Sequence, residues 1–593
     1  MTTKNEDVDK LQENLAKVEA LTQRMMAAVS HKKPIRASLQ GPGNDLIMKA
    51  ATAYVAEMMA NPSKMMEQQI AYWGQSLRHY VQAQEALTKG TPAPAAPQEP
   101  DRRFQGDLWN THPYFNFIRQ QYHLNTKAIE DAVQGMDHLA PRERQRLEYF
   151  SRQIVDMFSP TNFLGTNPEA LAKAVETDGD SLVAGLENLV RDLEANNGDL
   201  LVTLADQDAF RVGENLATTP GKVVFRNHLF ELIHYEPTTK TVHDTPLLIF
   251  PPWINKFYVM DLKEKNSLIK WVVDQGFTVF VVSWINPDAS YANVGLDTYI
   301  NDGYLTAIDR VKKRCNVEQI NVAGYCIAGT TLSLTLSLFA QRGDTSVKSA
   351  TFFTTLTDFS DQGEVGVFLN DDFVDGIEAE VHDTGVLDSF FMTRTFSFLR
   401  SNDLIYGPAI KSYMMGQTPP AFDLLYWNGD ATNLPGRMAI EYLRGLCQNN
   451  QFADGGFDVC DTTVHLKDVQ VPLCAIACET DHIAAWKASY AGVRQMGSDN
   501  KTFILSQSGH IAGIINPPSK GKYGHYTNPD LRITADEWQQ KATFTPGSWW
   551  PRWAGWLADQ SGEQVRARKP LKRQTLCDAP GTYVIKSEKD AHT

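Results

Sequence analysis

The sequence lacks several features that would assign it to a broad class of protein. It has no run of about 18 consecutive apolar residues, so we expect no transmembrane segment. Lys and Arg number 56 against 70 Asp and Glu, and the net charge of −14 argues against nucleic acid as a partner. The first residues, MTTKNEDVDK, lack the basic and apolar segments of a signal peptide. These absences predict a cytoplasmic protein.

Cysteine is also scarce, with seven residues in a chain of 593. An odd and sparse set is typical of a reducing compartment without a disulfide framework. Cys474 and Cys478 lie on one predicted strand, VPLCAIAC, and no Cys or His pair nearby completes a metal site. We therefore interpret both as buried structural residues and expect no bound metal.

The chain divides into regions of different pattern. Apolar residues recur every three or four positions over residues 1–90, which predicts a helical segment, and TPAPAAPQEP (91–100) is a Pro/Ala linker. The sequence pattern over residues 101–215 predicts a helical N-terminal domain. Over 216–593, short apolar runs alternate with helix-length segments, which predicts an α/β domain with a mostly parallel sheet. The interval 357–465 is too long for a crossover and predicts an inserted cap or lid.

Cys326 lies in AGYCIAG, between a predicted strand and a predicted helix. In a strand–nucleophile–helix turn the nucleophile is strained, and its neighbours must be small because strand and helix approach closely. Gly324 meets this requirement, and Ala328 nearly does. The amino end of the helix would favour a thiolate. Taken alone, the pattern also fits a buried structural cysteine.

Two further residues make a catalytic interpretation stronger. Asp481, in ETDHIAAW, and His510, in SGHIAGIINPP, each follow a predicted strand. The chain order nucleophile, acid, base is typical of the α/β-hydrolase fold. We therefore predict a triad of Cys326, Asp481 and His510. His482 is the alternative base, but it follows the acid directly, where its ring would struggle to face both partners.

An oxyanion hole should accompany this triad. One donor would be the backbone N–H of Ile327, and the second would come from the loop after strand 247–250. That loop begins with two prolines, which have no N–H, so Trp253 is the predicted donor and Ile254 the alternative. A thiolate that attacks a thioester forms another activated thioester. The cysteine therefore favours transfer from an acyl-thioester such as acyl-CoA.

Several segments, in order over about residues 101–585, resemble class I polyhydroxyalkanoate synthases: GYCIAGT, PPWINKFYVMDL, SWINPD, AFDLLYWNGDATNLPG, ETDHIAAW, SGHIAGIINPP, GSWWP and APGTYV. The resemblance implies an α/β-hydrolase fold with an inserted cap, preceded by a helical N-terminal domain. It implies polymerisation of (R)-3-hydroxyacyl-CoA, favouring 3-hydroxybutyryl-CoA, into polyester with release of CoA. The family usually has glycine at position 328, where this chain has alanine.

The resemblance also assigns roles to residues. Cys326 would hold the growing acyl chain, and His510 would deprotonate the thiol and then the substrate's 3-hydroxyl. Asp481 would orient His510 or assist that hydroxyl, and Arg400, in FSFLRSNDL, would meet a CoA phosphate. No separate cofactor is implied, because CoA is part of the substrate.

The partners that the resemblance implies are the growing polyester, the granule surface, granule-coating proteins and a second copy in a homodimer. Two other functions stay open at this point. A thioesterase or polyester depolymerase could use the same triad, and a non-catalytic granule-associated scaffold could keep the fold. Cysteine in place of serine favours transfer over hydrolysis, and an ordered triad argues against a scaffold.

Overall fold

The computed structural model describes residues 2–32, 36, 39, 43–90 and 101–586. The chain forms two compact units, residues 1–206 with 394–420 and residues 207–393 with 421–593. The predicted linker lies outside the described residues. The predicted insertion, 357–465, is divided between the two units, because 394–420 belongs to the first.

The N-terminal unit is helical, as predicted. Each of several helices starts with proline at its first position, where the missing N–H costs no hydrogen bond, and Asn167 caps one of them by accepting from the N–H of Ala170. The longer helices are α1 (Thr2–Ser30), α2 (Gly43–Ala60), α3 (Pro62–Lys89), α4 (Pro113–Gln134), α5 (Pro141–Met157), α6 (Pro168–Glu176) and α7 (Asp180–Ala195).

Contacts with α7 explain why 394–420 belongs to this unit. The side chain of Asn188 donates to the carbonyl of Ser412 at 3.1 Å. The Tyr413 hydroxyl donates to buried Asp192 at 2.7 Å. A Cβ on Gly185 would lie 2.0 Å from the carbonyl oxygen of Tyr413, so the two backbones meet where α7 has no side chain.

The second unit is built on one large sheet. Its strands are β1 (Gly221–Arg226), β2 (Phe230–Tyr235), β3 (Leu247–Phe250), β4 (Val279–Trp284), β5 (Ile320–Tyr325), β6 (Val347–Phe353), β7 (Leu473–Cys478), β8 (Lys501–Ser506), β9 (His525–Thr527), β10 (Thr543–Thr545) and β11 (Cys577–Asp578). Their spatial order is β10-β9-β8-β7-β6-β5-β3-β4-β2-β1-β11. The strands predicted from apolar runs are confirmed.

Strands β3 to β8 are parallel, and antiparallel strands flank them on both sides. Every residue of β3, β4, β5 and β7 is buried, because helices cover both faces of a parallel sheet. The longer α-helices of this part of the chain are α8 (Leu268–Asp274), α9 (Thr306–Cys315), α10 (Ile327–Arg342), α11 (Asp371–Thr384), α12 (Ser389–Leu399), α13 (Trp486–Gln495) and α14 (Trp550–Asp559).

Within the ranges that the structure describes, no helix combines the length and the apolar character needed to cross a bilayer.

Candidate active site

Cys326 forms the sharp turn between β5 and α10, with φ 55° and ψ −125°. A non-glycine residue in this region of backbone space is strained by about 1–3 kcal/mol and is typical of functional sites. The Cys326 N–H donates to the carbonyl of Phe353 on β6 at 2.9 Å, and its own carbonyl accepts from Gly329 at 2.9 Å. Hydrogen bonds on both sides therefore fix the turn and place the thiol at the amino end of α10.

The closest approach between β5 and α10 is at Gly324 and Gly329. A Cβ on Gly324 would lie 2.6 Å from the Cα of Gly329, and a Cβ on Gly329 would lie 2.0 Å from the hydroxyl of Thr355. Ala328, the predicted crowded neighbour, is buried, and its carbonyl accepts from the Tyr304 hydroxyl at 2.6 Å. Position 329 therefore requires glycine, because a larger residue there would clash with Thr355. Position 328 accommodates the methyl group of Ala328.

Asp481 lies just past β7 with its side chain fully buried. Its Oδ2 accepts a hydrogen bond of 2.7 Å from Nδ1 of His510. Its Oδ1 accepts from the backbone N–H groups of Ile483 at 2.9 Å and Ala484 at 2.8 Å. The structure therefore pairs the acid with His510, which was predicted as the base in preference to His482.

Tyr325 links the His510 loop to the strand that carries the cysteine. Its hydroxyl donates to the carbonyl of His510 at 2.9 Å, and the two ring centroids are 5.7 Å apart. Since Tyr325 directly precedes Cys326, one strand end positions both residues. Sequence patterns did not identify this role, although Tyr325 stands inside the AGYCIAG motif.

The electrostatics of His510 favour proton transfer from the thiol. Burial disfavours a charged imidazole, but the charge of Asp481 and the interactions with Cys326 outweigh it and raise the pKa of His510 to about 10. Because Nδ1 is bonded to Asp481, Nε2 is the nitrogen left for the thiol. A base of this strength next to a cysteine can generate the thiolate nucleophile.

The predicted oxyanion donors lie on two elements. Ile327 is the first residue of α10, so its N–H has no partner within the helix. Trp253 is buried, with its ring stacked on Tyr299 at a centroid distance of 4.6 Å. Its indole N–H has no acceptor among the described residues, so ring stacking rather than a hydrogen bond holds the side chain.

The loop after β3 is fixed by a segment distant in sequence. The Thr432 N–H donates to the carbonyl of Ile254 at 2.9 Å, and the Thr432 hydroxyl donates to the carbonyl of Trp253. Asn255 and Ala431 form an isolated antiparallel bridge. The backbone that carries the Trp253 and Ile254 N–H groups is therefore held in one position.

An ion pair between a buried lysine and a partly buried aspartate supports the same loop. Lys256, which is buried, lies 2.7 Å from Asp430, and the Tyr258 hydroxyl donates to the other Asp430 oxygen at 2.8 Å. The indole of Trp427 donates to the carbonyl of Lys256 at 2.7 Å. The sequence patterns did not assign these roles. The signal that could have revealed them is the segment WNGDATN, which contains Trp427 and Asp430 and lies within the quoted motif AFDLLYWNGDATNLPG.

Tyr442 is a further side chain that interacts electrostatically with Cys326. Burial raises the pKa of Tyr442 well above its usual value, and negative charge on Cys447 and Cys326 acts in the same direction. The phenol therefore stays protonated and can donate a hydrogen bond. Nothing in the sequence pattern pointed to this residue.

The remaining predicted positions have less defined settings. Arg400 belongs to the 394–420 segment of the N-terminal unit; its side chain is 47% exposed and its Nε lies 3.8 Å from a carboxylate oxygen of Asp403. Its contact with CoA stays a prediction.

Cys474 and Cys478 are buried on β7. Within the described part of the chain, no cluster of three or more His, Cys, Asp or Glu could hold a metal ion.

Two family models match the chain. The model for the N-terminus of poly-beta-hydroxybutyrate polymerase matches residues 100–272, and that for the alpha/beta hydrolase fold matches residues 245–517. The second match covers the parallel strands and confirms the predicted α/β-hydrolase fold.

Similarity to individual proteins extends over most of the chain. It is 39% identical over 559 residues to a poly(3-hydroxyalkanoate) polymerase of Methylorubrum extorquens, covering 92% of this chain and 91% of the relative. It is 39% identical over 549 residues to the polymerase subunit PhaC of Rhizobium meliloti, covering 89% of each. It is 40% identical over 509 residues to that of Cupriavidus necator, covering 84% of this chain and 85% of the relative.

Proposed function

This chain belongs to the poly(3-hydroxyalkanoate) polymerase family, and from this membership we propose that it polymerises (R)-3-hydroxyacyl-CoA through an acyl group carried on Cys326. The observation that supports the cysteine mechanism is the arrangement of three side chains. Cys326 occupies a strained turn, His510 lies beside it with a raised pKa, and Asp481 binds the far nitrogen of His510.

The first step would load the acyl group. His510 takes the proton of the Cys326 thiol, and the thiolate attacks the carbonyl carbon of the acyl-CoA thioester. A new carbon–sulfur bond forms to Cys326, and the bond to the CoA sulfur breaks. His510 returns the proton to the departing CoA thiolate, so the enzyme ends the step as an acyl thioester with neutral imidazole.

The second step would extend the chain. His510 takes the proton from the 3-hydroxyl of an incoming substrate, and the oxygen attacks the carbonyl carbon of the acyl-cysteine. An ester bond forms, the bond to Cys326 breaks, and the proton returns to the sulfur. In both steps Asp481 stabilises the imidazolium, and the N–H groups of Ile327 and Trp253 would stabilise the tetrahedral oxyanion.

The finer features of this proposal are supported by the resemblance of the sequence motifs. We propose a short-chain substrate such as 3-hydroxybutyryl-CoA and a contact between the Arg400 guanidinium and a CoA phosphate. We also propose a homodimer, a cytoplasmic location at the surface of polyester granules, contact with granule-coating proteins, and no cofactor apart from the CoA of the substrate.

The test gives the purified protein (R)-3-hydroxybutyryl-CoA and follows free CoA and the acyl product in one sample. We expect CoA release together with insoluble polyester, and loss of both in Cys326→Ala. Cys460→Ala is a matched control, because Cys460 is also partly buried and also has a positive φ, of 49°. It should retain activity.

Other outcomes would separate the alternative functions. CoA release with only free hydroxy acid would identify a thioesterase. Release only with longer acyl chains would revise the substrate range but keep the polymerase. No release with any chain length would favour the scaffold.

A further inference from the structure

Two adjacent tryptophans at the start of α14 are bonded to the loop that carries His510. The indole N–H of Trp549 donates to the carbonyl of Gly513 at 2.8 Å, and that of Trp550 donates to the carbonyl of Ile514 at 2.8 Å. Both indole rings and both acceptor residues are buried. Each bond joins positions that are 36 residues apart in the chain, so the loop is tied to a helix that follows it at a distance.

The turn that follows His510 also has bonds of shorter range. The N–H of Gly513 donates to the carbonyl of Gly509 at 2.8 Å, which fixes the shape of the turn. The hydroxyl of Ser506, the last residue of β8, donates to the Gly513 carbonyl at 2.9 Å, and the Tyr325 hydroxyl attaches the carbonyl of His510 to β5. The two indoles therefore add a third attachment, to α14, at the end of the turn.

The start of α14 is itself fixed by the residues around the two tryptophans. Gly547 has a φ of 85°, a conformation that favours glycine, and its carbonyl accepts from Nδ1 of His525 on β9 at 3.1 Å. The Ser548 hydroxyl accepts from the N–H of Trp550 at 3.1 Å, and Pro551 lies in the first turn, where its missing N–H costs no hydrogen bond. The residues of the segment GSWWP thus place two indoles at one end of the helix, a role that sequence pattern alone does not indicate.

Trp549 also contacts the strand end that fixes the nucleophile. Its ring lies against that of Phe353, the last residue of β6, at a centroid distance of 5.6 Å. The carbonyl of Phe353 accepts from the N–H of Cys326 at 2.9 Å. One side chain therefore touches the residue that fixes Cys326 and bonds to the loop of His510. The separation of these two groups matters, because a proton passes between them only within hydrogen-bond reach.

We propose that Trp549 and Trp550 are positioning residues for His510, and that their indole N–H groups, rather than the bulk of their rings, set the distance between the imidazole and the Cys326 thiol. The inference rests on the proposed function, because it assigns both tryptophans to the base of that reaction. They act through the loop and not on the substrate. A displacement of a catalytic group by about 1 Å can slow a reaction about 100-fold, so bonds that place the loop can control the rate.

The first test compares Trp549→Phe and Trp550→Phe with Trp553→Phe. Trp553 is a matched control, because it lies on the same helix, is equally buried and donates its indole N–H to the Thr351 hydroxyl on β6 at 3.0 Å. With (R)-3-hydroxybutyryl-CoA, each of the first two variants should lower kcat about 10-fold and change KM by less than about twofold. Trp553→Phe should lower the unfolding midpoint as much as the others but change kcat by less than about twofold. Equal losses of kcat in all three variants would overturn the proposal.

An isosteric replacement separates the hydrogen bond from the volume of the ring. In 3-benzothienylalanine a sulfur atom takes the place of the indole N–H, so the donor is lost and the size of the ring is kept. At position 549 or 550 this analogue should lower kcat about 10-fold, as the phenylalanine variants do. Full activity with the analogue at both positions would show that only the ring volume matters and would overturn the proposal.

The second test needs no polymerase activity. Alkylation of Cys326 by iodoacetamide at pH 7 should slow about 10-fold with the analogue at position 549 or 550, because His510 generates the thiolate that reacts. The analogue at position 553 should leave the rate unchanged. An unchanged rate at all three positions would overturn the proposal. Slower alkylation at positions 549 and 550, in a protein that makes no polyester, would support the positioning role and reject the proposed function.

Discussion

Asp481 and His510 are joined by a hydrogen bond of 2.7 Å between Oδ2 and Nδ1, and the remaining oxygen of Asp481 is held by two backbone N–H groups. The carboxylate therefore cannot rotate away without losing these bonds. This arrangement fixes which nitrogen of the imidazole faces the thiol. It also keeps negative charge beside a ring that burial alone would hold neutral.

The pKa of His510 gives the first prediction. In a Cys326→Ala background, where the thiol no longer titrates, we expect NMR to show a pKa above the ordinary value of about 6.5, because Asp481 favours the protonated ring. Adding Asp481→Asn should bring it below about 6.5, since burial then dominates. An unchanged pKa in the double variant would show that Asp481 does not control the ring.

The same pair predicts a pH dependence of stability. Since the folded-state pKa of His510 is raised, the protonated pair stabilises the folded protein fully below about pH 6.5, and this contribution is lost as pH rises through the folded-state pKa. In the Cys326→Ala background, Asp481→Asn should therefore lower the unfolding midpoint more at pH 6 than at pH 10. Equal losses at both values would contradict the assignment.

The loop after β3 gives a third prediction. Asp430→Asn removes the charge that pairs with buried Lys256 and should slow acyl transfer about 10- to 100-fold by loosening the oxyanion donors. Alkylation of Cys326 by iodoacetamide needs no oxyanion hole, so its rate should be unchanged. Asp423→Asn is the control, because this buried carboxylate bonds to Asn266, outside the 253–256 loop. Parallel losses of both rates would indicate general disruption.

The crowded turn at Cys326 gives a fourth prediction. Gly324→Ala places a methyl group 2.6 Å from the Cα of Gly329, between two backbones that cannot both move, and should destabilise the protein by about 2–4 kcal/mol. Gly555→Ala is the control, because nothing lies within 4 Å of its added Cβ in α14. It should stabilise by about 0.5–1 kcal/mol. Chemical denaturation compares the two, and similar midpoints would refute the steric argument.

Residues Thr582 and Tyr583 give a fifth prediction. Glu231 on β2 is fully buried and accepts from the N–H of Thr582 at 2.8 Å, the N–H of Tyr583 at 3.0 Å and the guanidinium of Arg226 at 2.8 Å. Glu231→Gln replaces an acceptor oxygen with a donor and should cost about 2–4 kcal/mol. Glu236→Gln, at an exposed position, should cost almost nothing. Thermal unfolding and proteolysis of the C-terminal residues would detect the difference, and equal shifts would reject this role.

Local pattern was sufficient to predict much of the fold. The buried parallel strands are continuous apolar runs, so β3, β4, β5 and β7 were recognisable without any knowledge of their neighbours. The three side chains that the structure brings together could also be predicted from local pattern. Cys326 was identified by the small residues around it, and Asp481 and His510 by their positions just past later strands. Their chain order carried this information, because parallel strands place their carboxyl ends at one edge of the sheet.

The sequence by itself therefore determined the helical N-terminal region, the parallel sheet and the identity of Cys326, Asp481 and His510 as candidates. Only the tertiary structure decided that Gly329, rather than Ala328, is the crowded position, and that Asp430 holds the loop of Trp253. These are contacts between residues far apart in the chain, such as Tyr258 and Asp430, which are 172 positions apart. No local periodicity encodes such a distance, because it depends on how separate elements pack.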